Sequence, residues 1–413
     1  MVDGPRKSKW MHGRSVHRQR SHDEAHAGAA QSPMPAILEH DLVPQGEPAV
    51  VETQRDLDAH LAGLLAARRF AYDTEFIGEH SYHAKLCVIQ TATASEITII
   101  DPLTNDLNLT GLWSLLADDS VEKVVHAGEQ DLEPVLRSIG QPPANVFDTQ
   151  IVAAFCGCGY PTGMARMVRD LLNADPGAGL TFSQWDRRPL TRVQTLYAAN
   201  DVRYLLLLRE TLAQKAAAAG NLEPALDECR QACAAERFHV DPVTQRSRVR
   251  GVEALSPRQL AILTELIAWR ELAAETQDVP PKSMVRDSIL IDLTYNPARS
   301  VAELDRVSGL PRPVEQRWGS AIVQATQRGL EGPLPDGLID APFDRWSHRH
   351  KVEKLWARAA ERCVQRGIEP AIAISKREVG QFIRALDMGI ARAEAAGRLV
   401  QGWRREMFDG LFE

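Results

Sequence analysis

The sequence predicts an α/β domain built on a mixed sheet, followed by two small all-α domains. Three observations carry this. Between about 48 and 215, runs rich in β-branched and aromatic residues interleave with helical stretches, which implies a mixed sheet covered by helices. From 253 to 330 every segment has the apolar period of a helix, with turn residues between segments. After the Pro/Gly/Asp-rich stretch EGPLPDGLIDAPF, a third helical block runs to the C-terminus.

Taken in order, residues 1–33 are polar and basic, with little apolar content, and are expected to form a disordered basic tail. RRFAYDTEF (68–76), KLCVIQTAT (85–93) and EITIID (96–101) are consecutive strands. LTGLWSLLAD (109–118) is a helix. EKVVHAG (122–128) is a short strand ending in a turn of small residues, and EQDLEPVLRSIG (129–140) is a helix stopped by Gly140. NVFDTQIVAAFCG (145–157) gives another brief strand and helix. Residues 190–219 are expected as one long helix with Pro189 at its start. The expected domains are therefore 48–218 and two helical domains, 253–330 and 346–413. Linkers span 219–252, which holds the alternating triplet Arg246, Arg248 and Arg250, and 331–345.

A chain of 413 residues suits two or three domains, and 44% apolar with 25% charged residues is ordinary for a soluble protein. No apolar run approaches the ~18–20 residues of a membrane span. The first 33 residues lack the apolar core of a secretory signal, so a cytoplasmic location is expected, and no membrane or obligate protein partner is evident. The six cysteines do not form paired zinc spacings and are expected to be free thiols. A net charge of −7 excludes a surface coated in basic charge and leaves room for a local basic track.

The stretch FAYDTEFIGEH, starting at Phe70, carries the chemistry. Strand alternation puts Asp73 and Glu75 on one face and Phe70, Tyr72 and Phe76 on the other. Two adjacent like charges repel, so the pair either faces water or holds a cation. VVHAGEQDLEPVL places Asp131 in the first turn of a helix just after a strand, where carboxylates are favoured in any case. YAANDVRYLL places Tyr197 and Asp201 four residues apart on one helix face, a spacing that also suits a simple exposed pair. His126, His80, His83 and Gln90 flank these segments as further candidates for substrate contact or for structural roles.

Together, the words DTEF, HAGEQDLEPV and YAANDVRYL resemble the three motifs of the DEDD 3′→5′ exonucleases, and of the ribonuclease D family in particular. VFDTQIVAAF and WDRRPLT strengthen the likeness. The resemblance spans about 48–215 and implies a ribonuclease H-like exonuclease fold. It places the four metal-binding acids of the family on Asp73, Glu75, Asp131 and Asp201, and Tyr197 matches the tyrosine of the DEDDy branch. The stretch FSQW departs from the family's usual Ser-Asp-Trp. The implied cofactors are two divalent ions, Mg²⁺ or Mn²⁺, about 4 Å apart, which suit oxygen ligands. In that scheme Asp73 bridges both ions, Glu75 and Asp201 complete one, and Asp131 supports the other. Tyr197 orients the attacking water, and Glu75 also meets the terminal 3′-hydroxyl.

Residues 253–330 resemble the HRDC domain through LSPRQLAILTELIAWRELAAETQDVPPKSMVRDSILIDLT and SVAELDRVSGLP, and 346–413 resemble the terminal helical domain of the same family. Such modules bind nucleic acid through backbone charge. Arg258, Lys282, Arg286, Arg312, Arg317, Lys376, Arg377 and Arg384 are the candidates here. The resemblance implies an exoribonuclease that releases 5′-mononucleotides from RNA 3′ ends such as precursor tRNA tails. A DNA exonuclease of the same superfamily and an inactive RNA-binding scaffold are the alternatives.

Overall fold

The computed structural model describes residues 36–103, 106–177, 179, 183–238, 241–334 and 343–412. The basic tail expected over 1–33 lies outside them. The α/β part runs β1 (Ala49–Val51), α1 (Gln54–Ala67), β2 (Arg69–Ile77), β3 (Lys85–Ala92), β4 (Ile97–Ile100), α2 (Thr110–Ala117), β5 (Glu122–Val125), α3 (Glu129–Ile139), β6 (Val146–Asp148), α4 (Thr149–Ala154), α5 (Met164–Leu172), α6 (Arg192–Arg203) and α7 (Leu205–Ala218). Its six strands lie in the order β1-β4-β3-β2-β5-β6. β2-β3 and β3-β4 are antiparallel, and the other pairs are parallel. This is the mixed, helix-covered sheet that the sequence predicts.

Alternation along β2 sorts its two faces. Phe70 and Tyr72 enter a core with Leu57, Leu112 and Leu132 of α1, α2 and α3. Ala71 faces the opposite core, with Ala199 and Val202 of α6. β3 follows suit, with Ile89 on the first face and Val88 packed on Trp185 and Ala198 on the second. Asp73 and Glu75 therefore share the face that α6 covers.

The structure differs from the sequence reading at several elements. β1 and α1 stand before the first strand that the sequence singled out; α1 is capped by Thr53, whose side chain accepts from the Asp56 N–H. The long helix expected over 190–219 breaks at Tyr204. α6 starts at Arg192 behind a Thr191/Gln194 capping box and lies on β2, β3 and β4. α7 packs on α4, α5 and α8 while also touching β5 and β2. A single straight helix presents its apolar residues along one line and cannot serve both contacts.

The helical remainder comprises α8 (Leu222–Ala232), α9 (Ala235–Phe238), α10 (Pro242–Ser247), α11 (Pro257–Gln277), α12 (Pro281–Met284), α13 (Asp287–Tyr295), α14 (Arg312–Glu331), α15 (Arg345–Gln365), α16 (Pro370–Ala373), α17 (Lys376–Asp387), α18 (Arg392–Ala396) and α19 (Gly402–Met407). SVAELDRVSG forms a 3₁₀ helix, Val301–Arg306, rather than an α-helix. α11 to α14 close their own core around Ile262, Leu266, Trp269 and Ile322. α15 to α19 do not: Cys363, Phe382, Phe408 and Phe412 join one core with Phe147, Phe155, Leu208 and Leu212 of the α/β part. All six cysteines are free.

One buried ion pair fastens that junction. Arg404 of α19, fully buried, donates to both carboxylate oxygens of Glu228 in α8 at 2.6 and 2.8 Å. Its Nε and Nη2 also donate to the carbonyls of Ala373 and Ile372 at 3.0 and 2.9 Å, and Trp403 Nε1 adds a third bond to Glu228 at 3.1 Å. Burial raises the Glu228 pKa, but the bonds from Arg404 and Trp403 outweigh it, so the carboxyl lies below its ordinary 4.5. Its contribution to stability is complete above that value and is lost as pH falls through the lower folded one. Arg404→Ala strands a buried carboxylate and is expected to cost roughly 3–5 kcal/mol in urea unfolding. Glu228→Gln is expected to flatten the loss of stability below pH 4.5; an unchanged acid limb contradicts this assignment.

Candidate active site

The candidate residues converge on an open cleft of about 590 Å³ at one end of the sheet. β2 supplies the first wall. Asp73 stands opposite Gln90 of β3, and Gln90 Nε2 donates to Asp73 Oδ2 at 2.6 Å. Between Glu75 and Phe76 the pairing with β3 slips at a bulge. Bulges re-aim side chains, and Phe76, expected on the far face, lines the cleft beside Asp73 and Glu75.

Asp131 arrives from the other side of the strand. The turn His126-Ala127-Gly128 swings the chain from β5 into α3 within three residues. Ala127 takes φ of 57°, and a Cβ on Gly128 would meet Val125 Cγ2 at 2.7 Å. Asp148, buried at the end of β6, accepts the N–H groups of Ala127 and Gly128, both at 3.0 Å, and also caps α4. The first turn of α3 is thereby fixed. Thr74 Oγ1 donates to Asp131 Oδ1, and the Tyr72 hydroxyl donates to the Asp131 carbonyl at 3.2 Å. The even-numbered face of β2 thus holds the fourth acid beside those on its odd-numbered face.

α6 closes the cleft with Tyr197 and Asp201. Trp185 packs beneath, its ring 6.1 Å from that of Tyr197. The stretch around it is pinned by Arg188, which meets both oxygens of Asp101 and the carbonyls of Cys87 and Trp185. Arg203, buried, ties the C-terminal end of α6 to the carbonyls of Pro44 and Gly46.

Carboxylate oxygens of Asp73, Glu75 and Asp201 lie within 4.8 Å of one another; Asp131 stands outside that triple. Burial, then the neighbouring charges of Asp131, Asp201 and Glu75, push the Asp73 pKa well above the ordinary range. Burial with Asp201 and Asp131 raises Glu75 to about 8. Burial raises Asp201 to about 7 and Asp131 to about 6, against hydrogen bonds from Tyr197 and Thr74 respectively. Burial and Asp201 also hold the Tyr197 phenol above its ordinary value, so it stays protonated.

No Lys or Arg is among the described residues lining the cleft, and burial lowers the pKa of His126, so the imidazole is neutral. Among the described residues lining the cleft, none brings a positive charge to relieve four acids. An all-oxygen donor set of this kind fits a hard divalent cation.

His126 lines the cleft but is held by Thr149 Oγ1 at 3.0 Å. His80 and His83 are not part of the cleft wall: His83 approaches Glu133 at 3.8 Å, and the adjacent Tyr82 docks on α11, its N–H 3.0 Å from Asp278 Oδ1. Sequence reasoning missed Thr74, Tyr72 and Asp148. The phrase VFDTQ held a signal for Asp148, an acid at a strand end immediately before a helix.

Asp73→Asn replaces one ionisable carboxyl of this crowded cluster by a neutral amide. It is expected to raise the melting temperature of the cation-free protein and to abolish the further rise that Mn²⁺ gives the wild type; a Mn²⁺-induced rise in the variant equal to that of the wild type contradicts the assignment. Gly128→Ala is expected to displace α3 and weaken Mn²⁺ binding at least tenfold by calorimetry, with wild-type affinity as the contrary outcome.

A 3′-5′ exonuclease family model matches residues 48–217, and an HRDC domain model matches 259–326. A ribonuclease D of Gluconacetobacter diazotrophicus is 30% identical over 377 residues, covering 88% of this chain and 91% of the relative. One of Jannaschia sp. is 32% identical over 368 residues, covering 87% and 93%. The crystal structure of Escherichia coli RNase D, described as an exoribonuclease involved in structured RNA processing, superposes with a TM-score of 0.72 at 28% identity, covering 88% of this chain and 96% of that one. With the fold, the order of its parts and sequence likeness over most of the chain in agreement, this chain belongs to the ribonuclease D family.

Proposed function

We propose that the protein is a metal-dependent 3′→5′ exoribonuclease that trims the 3′ ends of structured RNA, precursor tRNA among them, in the cytoplasm. The observation that carries this reading is the gathering of Asp73, Glu75 and Asp201 in an open cleft with no Lys or Arg among the described residues lining it. Asp73, Glu75 and Asp201 would hold one divalent ion, and Asp131 would help to hold a second, Mg²⁺ or Mn²⁺. Such ions, when bound, neutralise the phosphate and make water a competent nucleophile at neutral pH.

The chain's own groups do the positioning. The Tyr197 phenol, kept protonated, orients the attacking water and is itself held by Asp201. Gln90 and Thr74 lock the orientations of Asp73 and Asp131, so the donors need no rearrangement. Glu75 lies in the same cleft and meets the terminal 3′-hydroxyl, which sets attack at that end. Water adds to the phosphorus, the bond to the 3′-oxygen of the preceding nucleotide breaks, and that oxygen takes up a proton. A 5′-mononucleotide leaves, and the shortened RNA keeps a free 3′-hydroxyl.

The test is a 5′-labelled 3′-tailed tRNA incubated with Mg²⁺. Stepwise shortening with release of 5′-mononucleotides is expected, abolished by chelator and reduced at least a thousandfold by Asp201→Asn. Tyr197→Phe is expected to lower kcat about 10²-fold with little change in KM. Shortening that survives Asp201→Asn contradicts the site. Faster cleavage of DNA than of RNA of the same sequence moves the activity to the DNA reading, and cation binding without cleavage to the scaffold reading.

A further inference from the structure

Most of the cations expected to make the nucleic-acid surface are engaged elsewhere. Arg258 donates to the carbonyls of Gly329 and Gly332. Lys282 pairs with Asp287, Arg312 with Asp305 and Glu315, and Lys376 with Glu353. Arg317 stacks over Trp318, and Arg384 is buried against Phe343. The uncommitted charge lies at another place. A groove of about 630 Å³ between the segment following α10 and helices α15 and α17 has fifteen lining residues. Six are Lys or Arg, and one, Glu253, is acidic. Arg248, Arg250, Arg345, Arg349 and Arg377 are all exposed there, and among the described residues none is in an ion pair. In a chain of net charge −7, such a concentration of unpaired arginine is a strong local departure.

Two further observations say what it takes. A middle cavity lies between the groove and the acidic cleft: it shares Arg248, Arg377 and Gln381 with the basic groove and borders the cleft at Ala127. Trp346, in the first turn of α15 and three residues before Arg349, is 85% exposed, so an aromatic face stands at helical spacing from the arginines. A basic track with an uncovered aromatic ring is the arrangement that single strands use, with phosphates on the cations and a base stacked on the ring.

We propose that the groove formed by Arg248, Arg250, Arg345, Arg349 and Arg377, with Trp346 at its rim, is a binding site for single-stranded RNA, holding phosphates upstream of the nucleotide being removed. This rests on the exoribonuclease reading and deepens it: the enzyme grips its substrate at two separated places, and RNA too short to span both uses the cleft alone. The HRDC-type helices α11 to α14 are not the main source of backbone contact.

The experiment measures anisotropy of labelled single-stranded RNAs of three to sixteen nucleotides, in chelator and over a range of KCl. For the wild type, affinity rises stepwise once the RNA is long enough to reach the groove. The triple variant Arg248→Ala/Arg250→Ala/Arg349→Ala is expected to lose that step, binding the sixteen-mer at least tenfold more weakly. Its slope of log affinity against log salt is expected to be smaller by about two, at ~0.7 per phosphate for single strands. Trp346→Ala is expected to weaken the sixteen-mer about fivefold or more with an unchanged salt slope. Arg286→Ala/Arg317→Ala is expected to bind as the wild type does. With Mg²⁺, the triple variant is expected to cleave the three-mer at the wild-type rate, which also establishes that it is folded. Wild-type affinity and slope in the triple variant, or an equal loss from the HRDC-side variant, overturns the proposal. Absence of cleavage by the wild type overturns the exoribonuclease reading instead, while the binding data still judge the groove.

Discussion

The arrangement depends on the crowding of four carboxyl groups with no Lys or Arg among the described residues lining their cleft. Burial and proximity raise all four pKa values, and the lining of the cleft contains neither Lys nor Arg among the described residues. A fold selected for stability alone places a base there or disperses the acids. This one instead spends hydrogen bonds from Gln90 and Thr74 on fixing Asp73 and Asp131 in place. Strain of this kind at a cleft is a familiar companion of function, since the same crowding that costs stability is what a bound divalent cation would relieve.

The rest of the α/β part can be understood as the support that this crowding requires. Three chain segments have to meet at one end of a sheet and stay there. β2 is internal, paired on both sides, and cannot move independently of its neighbours. The first turn of α3 is tied back by Asp148 and by Tyr72. α6 is capped at one end by Thr191 and anchored at the other by Arg203. The break at Tyr204 separates two tasks: α6 covers the acids, and α7 carries the core shared with the C-terminal helices.

How much of this was legible beforehand varied with the physics involved. The sheet was legible, because β-branched runs and period-two alternation are local signals. Asp73, Glu75, Asp131, Tyr197 and Asp201 stood out because short words around them matched a known set, and the fold gathers those residues at one cleft. The slip at Phe76 was not legible, since a bulge depends on the partner strand. Nor was the break at Tyr204, because helix propensity alone continues through it. Asp148 looked like an ordinary cap; its second duty, to the turn at Ala127 and Gly128, is a long-range contact. The basic groove was hidden for the same reason. Arg248 and Arg349 are a hundred residues apart, and only packing of α15 and α17 against the segment after α10 brings them together.

A crystal soaked in Mn²⁺, with data collected at the manganese absorption edge, tests the central claim most directly. Two anomalous peaks are expected in the cleft, both in contact with Asp73, one completed by Glu75 and Asp201 and the other on the Asp131 side. A cleft without a peak under saturating Mn²⁺, its acids as close together as they are here, contradicts the account.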